Sequence, residues 1–157
     1  MRLALRPATE GEREFCEALA RRNLSPYLAA RDTPWDSGLY LASWSEFENL
    51  MILANDQVAG VLRLNADGAA LEIRDLQVVP AYQSHGIGSW AIQQARLLAA
   101  ARGFGLVRLR VFEENPAKAL YSQLGFVSGT IVGGKVQMTL ALPPNNPCKP
   151  KPLRGSA

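Results

Sequence analysis

With 157 residues, 48% of them hydrophobic and 20% charged, the chain has the length and balance of one globular domain with its own core. Its formal charge of +3 resides in the last fifteen residues, where Lys149, Lys151 and Arg154 stand without an acid. The remainder is neutral and offers no trap for nucleic acid; charges begin at Arg2 and no run approaches the roughly 20 apolar residues that span a bilayer, so a cytoplasmic protein with no membrane contact is expected.

LALR (3–6) alternates as a first strand should. Thr9 and Glu12 stand at capping-box spacing, which predicts a helix from about Glu10 with Phe15, Ala18, Leu19 and Arg22 along one side. Pro26 and Pro34 are expected to interrupt the chain before a second helix, on which Tyr40, Trp44 and Phe47 share a face and Asp36 serves as the cap. LMILAND (50–56) and QVAGVLRL (57–64) read as a hairpin turning at Asn55 and Asp56, and a second turn over 65–68 leads into ALEIRDLQVV (70–79). A helix over 86–102 should close on Gly103, and LVRLRVF (106–112) reads as a strand. PAKALYSQLG (116–125) is a short helix opened by proline, and FVSGTI and KVQMTLAL are the last two strands.

One domain over residues 1–142 follows, with about seven strands and four helices. The tail over 143–157, holding half of the ten prolines, is expected to be disordered. Cys16 and Cys148 form no disulfide framework, and the single His85 lacks an imidazole partner for zinc, so no metal is expected.

Gly86 and Gly88, in AYQSHGIGSWA (81–91), lie where the chain enters a helix. There unpaired N–H groups and the positive end of the helix dipole face outward, and the missing side chains let a phosphate approach. Gly86, Gly88 and Ala91 match the dinucleotide fingerprint G-x-G-x-x-G/A, which would make an oxidoreductase. Context argues against it: Pro80 to His85 separate the loop from its strand, arginines of 106–112 stand where the ribose-binding acid would fall, and too little chain remains for a second half. The run QSHGIG (83–88) also fits Q/R-x-x-G-x-G/A, follows LQVVP (76–80), and is followed by NPAKALYSQLGF (115–126). In these three blocks together the chain resembles the GNAT superfamily, the Gcn5-related N-acetyltransferases, from Leu3 to Leu142.

The resemblance implies a three-layer α/β (α+β) fold, with a mixed, mostly antiparallel sheet of about seven strands between about four helices. It implies an N-acetyltransferase that moves the acetyl group of acetyl-CoA to a primary amine by direct attack in a ternary complex. On the strand before the loop, which splays from its neighbour in that family, the backbone of Leu76, Gln77 and Val78 would hold the pantetheine arm and the acetyl oxygen. Gln83, Ser84, His85, Gly86, Ile87, Gly88 and Ser89 would form the diphosphate loop, Asn115 would contact CoA, and Tyr121 would lie near the sulfur as general acid. Family members commonly carry small or basic residues, often Gly-Lys, where this chain has Ser84 and His85; a protonated His85 would partly replace that cation.

Glu72, eleven residues before Gln83, takes the place of the base glutamate in the histone-acetylating branch; Asp75 and ordered water are the alternatives. Being an odd number apart, Glu72 and Asp75 face opposite sides unless a bulge intervenes. The acceptor, a small-molecule or peptide amine, is expected over the first two helices, bound by Tyr27 and Trp35, and a homodimer is left open. Cys16 sits far from the proposed sulfur site, so a covalent acetyl-cysteine route has no good nucleophile. The competing reading is a catalytically silent acyl-CoA-binding sensor or partner module, which needs the loop but not Asn115, Tyr121 or a strand glutamate.

Overall fold

Strands β1 (Leu3–Pro7), β2 (Glu48–Ala54), β3 (Gln57–Asp67), β4 (Ala70–Val78), β5 (Leu106–Phe112), β6 (Val127–Val132) and β7 (Lys135–Ala141) form one sheet in the computed structural model, which describes residues 1–144. The order is β1-β2-β3-β4-β5-β7-β6, antiparallel everywhere except between β4 and β5. Helices α1 (Arg13–Ala29) and α2 (Ser37–Glu46) cover one face, and α3 (Ile87–Ala101) and α4 (Ala117–Gln123) the other. This is the expected three-layer α/β fold. The tail, from residue 145 on, lies outside the described residues. Among the described residues no helix is long and apolar enough to cross a membrane.

The first hairpin turns at Asn55 and Asp56, both at positive φ (49° and 66°), the conformation a two-residue turn needs to match strand twist. β3 continues to Asp67, past the turn expected over 65–68, and the reversal falls at Gly68 and Ala69. The first helix begins as a single 3-10 turn, Glu10–Glu12, before α1 proper. The Glu12 carboxylate accepts the Thr9 N–H at 2.9 Å and pairs with Arg6 at 2.8 Å, which holds its acid down to about pKa 2.

Two expectations for α1 fail. Phe15 is 45% exposed and Ala18 exposed, because the start at Arg13 turns Cys16, Leu19 and Ala20 inward instead. Pro26 does not end the helix: it lies near the last turn, removes only the bond to the Arg22 carbonyl, and the helix runs on to Ala29. In α2, Asp36 Oδ1 accepts the Leu39 N–H at 2.9 Å, the expected cap, and Tyr40 and Trp44 are buried. They cage Arg63, whose guanidinium lies 4.2 Å from the Tyr40 ring centre and 5.0 Å from that of Phe47.

β4 carries the irregularity that matters for function. Arg63 pairs with Asp75 and Leu64 with Ile73, so Arg74 is an extra residue, a β-bulge. Leu71 and Ile73 before it, and Leu76 and Val78 after it, pack into the same core beneath α3. The bulge therefore reverses the alternation and places Glu72, Asp75 and Gln77 on the same face of the sheet, beneath α1 and α2.

Candidate active site

β4 and β5 pair only from Ala70↔Leu106 to Ile73↔Leu109, then separate while β4 runs on to Val78. The Val79 N–H bonds the Ala59 carbonyl at 2.8 Å, so strand alternation turns the backbone of Val78 and Leu76 the other way, into the gap. The Val78 carbonyl is already taken, by Asn23 Nδ2 at 3.1 Å and Gln83 Nε2 at 3.0 Å. Among the described residues no strand pairs with β4 on that side beyond Ile73, so the Val78 N–H and the peptide groups of Leu76 face the gap.

The gap opens into a groove of about 530 Å³ whose walls include Leu76, Gln77, Val78, Gln83, Gly88, Asn115 and Tyr121. Seven of the expected cofactor residues thus meet in one place. At its far end the chain turns through Ser84 (φ 65°) and Gly86 (φ 80°) into α3. Trp90 is the first residue whose N–H finds a helical acceptor, the Gly86 carbonyl at 3.0 Å, leaving the N–H groups of Ile87, Gly88 and Ser89 without a backbone acceptor among the described residues and open to an anion. A Cβ on Gly86 or Gly88 would stand in open space, the space a diphosphate needs. Ile87 contributes backbone alone, since its side chain is buried in the core. His85 is exposed and its Nδ1 lies 2.8 Å from the Gln83 carbonyl. These donors and this clearance fit acetyl-CoA.

Asn115 also has a structural duty: its Oδ1 accepts the Ala117 N–H at 2.9 Å and opens α4, which starts one residue after Pro116. The Nδ2 donor remains for the groove. Tyr121 packs on Phe126 with ring centres 6.1 Å apart, and burial pushes its phenol up to about 12, so it stays protonated across the working range.

Beside the groove, sharing Leu76, Gln77, Asn115 and Tyr121 with it, lies a smaller cavity of about 110 Å³ that adds Asp75, Arg74, Arg110 and Lys135. Asp75 Oδ2 is shut off from solvent and has no hydrogen-bond partner among the described residues. Burial raises the Asp75 acid, against smaller opposing effects of the Gln77 hydrogen bond and the Arg63 charge.

Glu72 stands apart from this cleft. It is 4% exposed and lines a separate hollow with Arg74, Arg108 and Arg110. Arg108 Nε lies 2.8 Å from Oε2 and Arg74 Nη1 3.2 Å from Oε1. Burial opposes its ionisation, but these arginines outweigh burial and hold its acid below the ordinary range. The expectation that Glu72 faces the amine as base therefore meets a carboxylate paired with arginines, in a hollow whose lining does not include Tyr121.

The two expected acceptor residues part company. Trp35 lines a third cavity, about 490 Å³, between α1, α2 and β5, and its Nε1 donates to Glu17 at 2.8 Å. Tyr27 stacks on Phe112 at 5.2 Å and lines the groove instead. Asn23, Arg74 and Lys135 were not singled out from the sequence; the signal for Asn23 was its place at i+4 from Leu19 on the inward side of α1.

A model of the acetyltransferase (GNAT) family matches residues 13–126. No curated protein matches the chain by sequence. Among solved structures, the PaiA N-acetyltransferase of Thermoplasma acidophilum in complex with coenzyme A is 18% identical, with TM-score 0.71 over 90% of this chain and 100% of that one. The ribosomal-protein-S18-alanine N-acetyltransferase of Escherichia coli is 18% identical, with TM-score 0.74 over 93% and 97%. A spermidine N-acetyltransferase SpeG chimera from Vibrio cholerae and hSSAT is 20% identical, with TM-score 0.68 over 90% and 96%. At these identities the likeness is one of fold, while the family match spans most of the chain, including the glycine loop and α4: the protein belongs to the acetyltransferase (GNAT) family.

Proposed function

We propose that this chain, an acetyl-CoA-dependent acyltransferase by family, is an N-acetyltransferase whose acceptor is a primary amine attacking directly in a ternary complex. The observation that carries the reading is the parting of β4 from β5 at Ile73, which opens the Leu76 and Val78 backbone beside Tyr121. Bound in the groove, acetyl-CoA supplies an acetyl group already activated as a thioester. The N–H groups of Ile87, Gly88 and Ser89 receive the diphosphate, and the Val78 N–H holds the acetyl oxygen where negative charge develops. Tyr121 holds a proton within the groove and delivers it to the departing sulfur.

Asp75 takes a proton from the acceptor's ammonium, directly or through water, and so frees the neutral amine that attacks; its position in the cavity with Tyr121 and its Oδ2, unpartnered among the described residues, favour it over Glu72. Glu72 instead orders Arg74 and Arg108. Trp35 faces the acceptor and Tyr27 the junction with the groove. The test is release of free CoA from acetyl-CoA against an amine panel, beside calorimetric titration with acetyl-CoA. Tight binding with no release above the amine-free rate would indicate a silent sensor.

A further inference from the structure

Three cavities follow one another across the sheet: the CoA groove, the small cavity at Asp75, and the larger one behind Trp35. Leu24 lines all three, whereas Arg74, Phe112 and Lys135 line only the last two. The outer cavity is walled by Leu24, Leu28, Trp35, Leu39, Phe47 and Phe112, and Leu39 leaves 68% of its surface uncovered there. The buried Tyr40 hydroxyl, also in this wall, has no hydrogen-bond partner among the described residues.

Charge is distributed unevenly along this path. Arg74 and Lys135 stand where the outer cavity meets the reacting end, and Arg110 adds a third cation beside Asp75. Arg74 and Arg110 face Glu72 at 3.2 and 3.8 Å, but Lys135 has no carboxylate within ion-pair distance among the described residues. Its ammonium sits 4.9 Å from the Phe112 ring centre, and burial and then its arginine neighbours lower its affinity for the proton, against the smaller opposing effect of the Asp75 charge in the same cavity. The acids of the outer cavity are Asp36, engaged as the α2 cap, and Glu46, and neither lines the reacting end. None of the three cations at that end lines the CoA groove, so the diphosphate does not explain them.

Resting on the acetyltransferase reading above, we infer that the acceptor is an amino-carboxylate with an apolar or aromatic side chain. Its carboxylate lies against Lys135 and Arg74, its amine against Asp75, and its side chain in the cavity behind Trp35. A carboxylate two bonds from the amine meets these cations as the amine reaches Asp75, whereas the bare ammonium of a polyamine would be repelled there.

L-Phenylalanine, L-leucine and L-methionine, the amines left by their decarboxylation, and spermidine would each be titrated into the CoA-saturated protein and, separately, assayed for CoA release from acetyl-CoA. At least one amino acid should bind about tenfold or more tighter than its decarboxylated partner and than spermidine, the scale of one charge-assisted contact. Lys135→Gln should erase that margin and Lys135→Glu reverse it, with acetyl-CoA affinity unchanged. Binding indifferent to the carboxylate, failure of every amino acid to bind, or a margin untouched by both variants would overturn the inference alone. Failure of any amine to raise CoA release would remove the acetyltransferase reading as well.

Discussion

Gln77 donates from Nε2 to Oδ1 of Asp75 at 2.7 Å, and its own Oε1 accepts from Asn23 Nδ2 at 3.1 Å. α1 thereby fixes the orientation of a carboxylate on the bulged strand, with one oxygen satisfied and the other buried without a partner among the described residues, on a residue that lines the cavity with Tyr121. A raised acid of this kind destabilises the fold when ionised. The stability it lends is full below its unfolded pKa of about 3.9 and is lost as pH rises through the higher folded value. Asp75→Asn should therefore raise Tm at pH 8 by a few degrees, the scale of about 1 kcal/mol in a domain of this size, and the gain should vanish below pH 4. The same variant should lose turnover. A higher Tm with undiminished turnover would take Asp75 out of the proton path.

Glu72→Gln should act the other way. With its acid held low, Glu72 contributes stability above its unfolded pKa that is lost as pH falls through the folded value. Removing the charge leaves Arg74, Arg108 and Arg110 facing one another; with Arg74 and Arg110 partly exposed, the loss should be about 2 kcal/mol, below that of a fully buried pair. Denaturant unfolding at pH 7 measures this. Acetyl-CoA affinity should hold. If kcat falls sharply while stability holds, Glu72 is the base after all.

Gly88→Val should weaken acetyl-CoA binding by about tenfold or more at unchanged stability, because the new side chain enters open space reserved for the diphosphate. Gly86→Val should weaken binding and also lower stability, since φ 80° is a left-handed conformation that a β-branched residue resists. Calorimetric titration and thermal melts on the two variants separate binding from strain. Equal affinity for Gly88→Val and wild type would dislodge the loop assignment.

Element order was legible because it rests on local signals: alternation in 106–112, the Asn55–Asp56 turn, the Asp36 cap and the Gly103 stop. The residues expected for the cofactor could be grouped in advance because they fall in two short blocks of sequence, 76–89 and 115–121, whereas Leu24 and Tyr27, which also line the groove, come from α1. The neighbouring cavity was legible only in part: Asp75 stood among the candidates and Lys135 did not. Lys135 reaches the cleft only through the pairing of β7 with β5, and Asp75 through a bulge whose register depends on β3. Neither contact leaves a periodic trace. The committed state of Glu72 depends likewise on Arg108, brought opposite it by the parallel pair, so a spacing from Gln83 could not disclose it.

Tyr121→Phe tests the proposed chemistry at its centre. The ring contacts with Phe126 would remain, so stability and acetyl-CoA affinity should change little. Turnover should fall about 10²-fold or more, the usual scale for a positioned proton donor, with kcat and kcat/KM falling together because the lost interaction belongs to the transition state. Burial alone raises the phenol, to about 12, so it keeps its proton and wild type should show no basic limb from this group between pH 7 and 10. The variant's defect should be constant across that window. A tyrosine present only for packing predicts near-normal turnover, and one that only positions CoA predicts a rise in the acetyl-CoA dissociation constant matching the loss of kcat/KM. Measuring the dissociation constant, kcat and kcat/KM of this variant at pH 7 and pH 10 separates all three roles, and normal kcat at both values would leave the departing thiolate without help from Tyr121.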